Sequence, residues 1–187
     1  MKREWAIVLL VGIFSGGCSP AGSAVRRDDR WANLEANAVF DRAEQYYAMG
    51  RYSSALVEYR KYLDRYADLY RGDDASFRTA QCLEAMGERI EAADVYRATA
   101  MLYSRSSVAP AALLRSGELY EMEGWLEEAL WSYRRAMKYY PDTEPGKTAK
   151  GRYEVLRKRV EEETKKRRKV RRFPPEGKTL NEVIQGK

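Results

Sequence analysis

From residue 36 to about residue 145 the apolar positions recur at helical spacing, and the pattern repeats. Val39, Ala43, Tyr46 and Gly50 stand at i, i+4, i+7 and i+11, one face of a helix that ends in a glycine able to stop it. Ala55, Tyr59, Tyr62, Leu63 and Tyr66 form the matching face of a second helix. The short Gly50-Arg51 connection predicts an antiparallel pair. The same design returns every 37 residues: Gly50, Gly87, Gly124; Ala55, Ala92, Ala129; Tyr59, Tyr96, Tyr133; Arg60, Arg97, Arg134; Tyr66, Tyr103, Tyr140. Softer columns keep that register, among them Ala43, Ala80, Gly117 and Phe40, Phe77, Leu114. Five identical triplets in one register mark an internal repeat, and stacking such units is how each buries its apolar face. The predicted fold is all-α, an α-solenoid of about three helix-turn-helix units.

Tyr153, Leu156 and Val160 continue as an apolar stripe among Lys147, Lys150, Arg157, Arg159 and Glu161 to Glu163. A terminal repeat needs a solvating cap, so this stretch is read as a capping helix ending near residue 164. Next comes Lys165-Lys166-Arg167-Arg168-Lys169-Val170-Arg171-Arg172, then Pro174-Pro175, which breaks any helix. Leu180, Val183 and Ile184 suit a short docking turn.

A small residue, Tyr, Gly, then Ala-x3-Tyr and Pro resembles the tetratricopeptide repeat (TPR), most closely in the third unit: Leu113, Gly117, Tyr120, Gly124, Ala129, Tyr133, Ala136 and Pro141. The family's usual period is 34, so each unit here carries three extra residues. Long units with Tyr-Pro-Asp after the second helix resemble bacterial envelope lipoproteins. They resemble the D lipoprotein of the outer-membrane barrel-assembly machinery, and the repeat domain of the periplasmic coordinator that works with the Tol-Pal system is also similar. The resemblance implies a protein-binding scaffold.

The first residues read as an address. Lys2 and Arg3 precede a ten-residue apolar run, Trp5 to Phe14, too short to span a bilayer, which needs about 20 residues. Ser15-Gly16-Gly17-Cys18 follows and resembles the lipobox of bacterial lipoproteins, whose cysteine is acylated and becomes the new N-terminus. That implies lipidation at Cys18 and, with Ser19 rather than Asp after it, the outer membrane, facing the periplasm. Cleavage after Ala24 with loss of Cys18, or retention as an uncleaved anchor, are the alternatives. The expected organisation is a signal peptide over 1–17, a tether over 18–33, the solenoid with its cap over 34–164, and a basic tail over 165–187.

Composition narrows the chemistry. The 187-residue chain contains no histidine and two cysteines, Cys18 and Cys82. It has no GxGxxG, P-loop or GxSxG motif. Neither an enzyme nor a metal or other cofactor site is expected. Asp73-Asp74 and Glu127-Glu128 read as helix-starting or solvated pairs, and Cys82 as a small buried hydrophobe. Charge is uneven: residues 147–187 hold 15 Lys and Arg against 6 Asp and Glu, residues 1–146 hold 19 against 22.

Two binding surfaces follow. One position along from the core stripe of each first helix lie Phe40, Glu44, Tyr47, then Phe77, Gln81, Glu84, then Leu114, Glu118, Glu121. If the first helices line a groove, it is acidic with an apolar floor and takes a basic or mixed peptide segment of another envelope protein. The alternative is that Phe40, Phe77 and Leu114 are inter-repeat core. The second surface is Lys165, Lys166, Arg167, Arg168, Lys169, Arg171 and Arg172. In an exported protein it points to anionic lipid or cell-wall polymers rather than nucleic acid, to the protein's own groove, or to solvent; attachment beside the lipid anchor is the favoured reading.

Overall fold

The computed structural model describes residues 27–172 and residue 185. Among the described residues seven helices follow one another: α1 (Arg27–Ala48), α2 (Tyr52–Tyr66), α3 (Gly72–Ala85), α4 (Arg89–Leu102), α5 (Ala109–Met122), α6 (Leu126–Tyr139) and α7 (Glu144–Arg172). Each packs on the next, and α5 also meets α7. The second helices begin at Tyr52, Arg89 and Leu126, in step with the 37-residue period. The chain is therefore an all-α solenoid of three helix pairs closed by α7.

The hairpin turns repeat because the glycines do. Gly50, Gly87 and Gly124 have φ of 70°, 88° and 80°, a left-handed conformation that a Cβ disfavours. Each turn closes in the same way. The amides of Arg51, Glu88 and Trp125 donate to the carbonyls of Tyr46, Leu83 and Tyr120 at 2.9, 3.0 and 2.8 Å. The glycine amides donate to Tyr47, Glu84 and Glu121. This double bond pattern satisfies carbonyls that a helix end otherwise leaves open.

Small residues set the distance between the paired helices. Ala43, Ala80, Ala55, Ala92 and Ala129 are fully buried or nearly so, as are Tyr59, Tyr96 and Tyr133. At Gly117 the approach leaves no room for a side chain: a Cβ there would sit 2.4 Å from Cε1 of Tyr133. The third tyrosine column has a separate task. The Tyr103 hydroxyl donates to the Ala67 carbonyl at 3.2 Å, and the Tyr140 hydroxyl to that of Ser104 at 2.6 Å. Each ties its own link to the link before it. The middle unit's two 14-residue helices leave its remaining length to these connections, so the long period is spent between units.

Both outer faces of the stack are polar where the inner ones are not. Leu113, Gly117 and Tyr120 of α5 face inward; the positions one period later in α7 are Lys150, Glu154 and Arg157, all exposed. Cys82 and Leu119 are buried, whereas Gln45, one period before Cys82, is exposed. Charged side chains on α7 and a polar one on α1 at these positions halt further stacking.

Two expected boundaries move. Residues 27–33, read as tether, belong to α1, and the capping helix does not stop near 164 but runs to Arg172. Once a helix is nucleated by packing, adding a turn costs little, and nothing between Thr164 and Arg172 breaks one. Residues 1–26, with the address and Cys18, lie outside the described residues, as do Pro174-Pro175, Leu180, Val183 and Ile184.

The same substitution should act in opposite senses at two glycines. Gly117→Ala drives a methyl into the Tyr133 ring and is expected to cost about 1–3 kcal/mol. Gly151→Ala, exposed in α7 with nothing within 4 Å of the new Cβ, should gain about 0.5–1 kcal/mol from helix propensity. Thermal melts followed by circular dichroism read both; equal shifts would show that Gly117 does not meet Tyr133.

Candidate peptide-binding groove

The first helices α1, α3, α5 and α7 line one face, joined by side chains that reach from each unit to the one before. Arg78 on α3 pairs with Glu44 on α1, Nε to Oε1 at 3.0 Å. Arg115 on α5 grips Glu84 on α3, its Nε 3.0 and 3.1 Å from the two carboxylate oxygens, and bonds Glu118 at 2.7 Å. Arg152 on α7 meets Glu118 at 3.2 Å and Glu121 at 3.8 Å, and Arg159 meets Glu121 at 3.7 Å. Arg78, Arg115 and Arg152 are themselves 37 residues apart, a column that the carboxylates alone concealed. The face expected to be acidic is instead a ladder in which each carboxylate has a guanidinium beside it.

The same carboxylates serve the core. The Tyr59 hydroxyl donates to Glu44, that of Tyr96 to Glu84 at 3.1 Å and that of Tyr133 to Glu121 at 2.9 Å. Glu84 and Glu121 share a column; its counterpart in the first unit is Tyr47, so Tyr59 uses Glu44 one turn earlier. Burial alone would raise the Glu84 carboxyl, but the Arg115 guanidinium and the Tyr96 hydroxyl outweigh it and hold it below its usual value. Burial, and then the neighbouring carboxylate, pushes Tyr59, Tyr96 and Tyr133 far above the ordinary tyrosine value. Tyr120 behaves likewise against Asp94.

The expected groove residues divide. Phe40 is only 2% exposed, edge-on to Tyr59 and Tyr62 at 5.6 and 5.5 Å, and the Arg71 guanidinium lies 3.4 Å above its ring. It is core, not groove: Arg71, anchored by Asp41 at 3.1 Å, covers it. Tyr47 is half-buried against Tyr52, with Arg78 over its ring. Gln81 accepts from Arg78 at 3.0 Å. Phe77, Gln81, Glu84, Leu114 and Glu118 do converge, with Tyr96, Ala111 and Arg115, around an open cleft of about 330 Å³ between α3 and α5. Its floor is the half-buried pair Phe77 and Leu114, Phe77 edge-on to Tyr96 at 5.1 Å. Towards α7 a second depression is walled by Arg115, Glu118, Glu121, Met122, Arg152 and Arg159. The arrangement offers one apolar subsite followed by a charged one with both signs present.

No chemistry-bearing cluster competes with this face. Among the described residues no group of three or more His, Cys, Asp and Glu is placed to hold a metal, and no helix is long and apolar enough to cross a membrane. Asp73-Asp74 and Glu127-Glu128 lie in the first turns of α3 and α6. Cys82 is buried and unbridged, and burial pushes its thiol up to about 11. Lys165, Lys166, Arg167 and Arg168 are exposed on α7; Lys169, Arg171 and Arg172 belong to the same helix. That places the basic run outside the groove: a continuous helix does not fold back onto it.

No family model and no curated protein matches the chain. Solved structures do. The Yersinia enterocolitica type III secretion chaperone SycD, in complex with a peptide of the translocator YopD, is 16% identical with a TM-score of 0.53 over 68% of this chain and 93% of its own. PcrH, which another structure assigns to Pseudomonas aeruginosa, in complex with the chaperone-binding region of PopD, gives 13%, 0.56, 68% and 95%. The TPR domain of Arabidopsis OM64 gives 17%, 0.51, 66% and 95%. At these identities the likeness is one of fold, and the fold is TPR-like. None of the three is an outer-membrane assembly lipoprotein or a Tol-Pal coordinator.

The shifts set a pH window. Glu84 sits below its usual value, so its contribution is present at neutral pH and is lost as pH falls through that lowered folded-state value. The tyrosines sit above theirs, so their contribution is full below pH 10 and drains away above it. In an alkaline titration, the phenolate absorbance of these side chains should rise together with loss of the helical dichroism signal. All 14 tyrosines ionising near pH 10 with the helices intact would contradict the buried Tyr–Glu bonds.

Proposed function

We propose that the chain is a non-catalytic envelope scaffold that binds a peptide segment of another protein through the α3–α5 cleft. The observation that carries this is the apolar Phe77–Leu114 floor held open beneath a ladder of paired charges. Groove recognition needs an apolar anchor and polar groups that fix register. Both are present, and the TPR-like chaperones of the same fold are seen with peptides of their partners. Because Glu84, Glu118 and Glu121 already have arginines, the fitting segment is one with an apolar anchor flanked by mixed charge, rather than a purely basic one.

The location belongs to the same proposal. The Lys2 to Cys18 pattern supports export and acylation at Cys18, giving an outer-membrane lipoprotein that faces the periplasm. The finer role we propose is assistance in assembling outer-membrane proteins, with partners among that machinery. An adaptor for cell-wall or cell-division factors is the second reading, and the exposed basic length of α7 favours it. A secreted chain without lipid is the third.

Two experiments test these points separately. A photo-crosslinking residue placed at Leu114 in intact envelopes should capture a partner, and the same residue at Val57, 64% exposed on α2, should not. Assembly-machinery partners support the first role and wall-associated partners the second; equal capture from both positions defeats the groove. Replacing Cys18 with Ser should end incorporation of labelled fatty acid, and wild-type protein without lipid defeats the lipoprotein reading.

A further inference from the structure

Helices α1, α3, α5 and α7 run one way and α2, α4 and α6 the other, so the molecule has two edges. The edge made by the links 67–71, 103–108 and 140–143 also holds the start of α1. The opposite edge is made by the glycine turns, and α7 overshoots it. Arg159 pairs with Glu121, next to the last residue of α5, so α7 passes the end of α5 at that point. The helix then continues to Arg172, about 20 Å further at 1.5 Å per residue. Leu156 is buried and Val160 still packs on the core, but residues 161–168 are all exposed.

We infer that residues 165–172, which follow Glu161 to Glu163 on the same helix, form a basic arm that binds a carboxylate-bearing cell-wall polymer on the side of the molecule facing away from the N-terminal anchor. The proposal rests on the exported, N-terminally anchored reading above. Three observations carry it. The arm and the start of α1 leave from opposite edges, about 50 Å apart along the helix direction when the 22 residues of α1 are added to the overshoot. Lys165, Lys166, Arg167 and Arg168 are consecutive and exposed and, at 3.6 residues per turn, surround the helix. A helix that lies in a membrane interface needs an apolar face, and Lys165, Lys166, Arg167 and Arg168 leave none. A strand of spaced carboxylates can be gripped from any side by such an arm, each pair being weak and the set being additive. In this geometry the basic run does not reinforce the lipid anchor. It connects the anchored body to a second, anionic structure, leaving the Phe77–Leu114 cleft free between them.

The test uses the full chain reconstituted in zwitterionic vesicles, with purified cell-wall sacculi as the probe. The vesicles should sediment with the sacculi, less so as salt rises, because exposed charges are screened. Combined Lys165→Gln, Lys166→Gln, Arg167→Gln and Arg168→Gln should weaken this about tenfold, four exposed pairs at a few tenths of a kcal/mol each. Unchanged dichroism checks that the helix persists. The proposal is overturned if the fourfold variant sediments as well as the parent. It is equally overturned if adding anionic lipid to the protein's own vesicles shields residues 165–168 from trypsin and abolishes sedimentation, which would lay the arm on its own membrane. If the chain does not associate with the vesicles, the anchor reading has failed instead, and sedimentation of the detergent-solubilised chain with sacculi reads the arm alone.

Discussion

Three buried phenols end on carboxylates, and the stacking of the units is organised around them. Tyr59, Tyr96 and Tyr133 fill the space between paired helices, and their hydroxyls end against Glu44, Glu84 and Glu121. Leaving one such group unpaired would cost about 1–3 kcal/mol. The acceptor, once a carboxylate, brings its own requirement for a cation. That cation comes from the following first helix: Arg78, Arg115, and Arg152 with Arg159. One chain of contacts thereby joins core packing within a unit to register between units. Sliding two units past each other would break a tyrosine bond and an ion pair together.

The groove inherits its electrostatics from this constraint. Glu44, Glu84 and Glu121 are committed to tyrosines on one side and arginines on the other, and Glu118 to two arginines, so the face is balanced rather than acidic. What remains unpartnered is apolar, the floor of Phe77 and Leu114 between α3 and α5. The first unit contributes no equivalent, because Arg71 lies over Phe40. The open apolar subsite on this face thus sits between the second and third units, with alternating charge beside it. A ligand would gain register from the ladder and anchoring from the floor.

The ends of the stack obey the same logic in reverse. Where α5 presents Leu113, Gly117 and Tyr120, α7 presents Lys150, Glu154 and Arg157. No further helix can pack there without burying charge. Beyond Val160 α7 has nothing to pack on, and its composition changes to one that needs only water. Structural cap and exposed arm are consecutive lengths of one helix, separated by where the apolar stripe ends.

Residue spacing alone determined the all-α repeat, its 37-residue period, the glycine turns and the small-residue columns. These are local or periodic properties: a left-handed turn wants glycine, a close helix approach wants Ala or Gly, and each recurs visibly at Gly50, Gly87, Gly124 and at Ala43, Ala80, Gly117. The convergence of Phe77, Gln81, Glu84, Leu114 and Glu118 was legible for the same reason, since residues one period apart must neighbour one another in a stack. The fate of the charges was not. Arg78, Arg115 and Arg152 repeat as faithfully as the tyrosines, yet which carboxylate each meets depends on how one unit rests on the next, and the partners lie 31 or 34 residues away rather than 37. Phe40 shares a column with Phe77, but a link residue, Arg71, decides that one is covered and the other open. Helix length is likewise a tertiary matter. No residue between Thr164 and Arg172 signals a stop, and only the stacking shows that this stretch emerges at the edge opposite the start of α1.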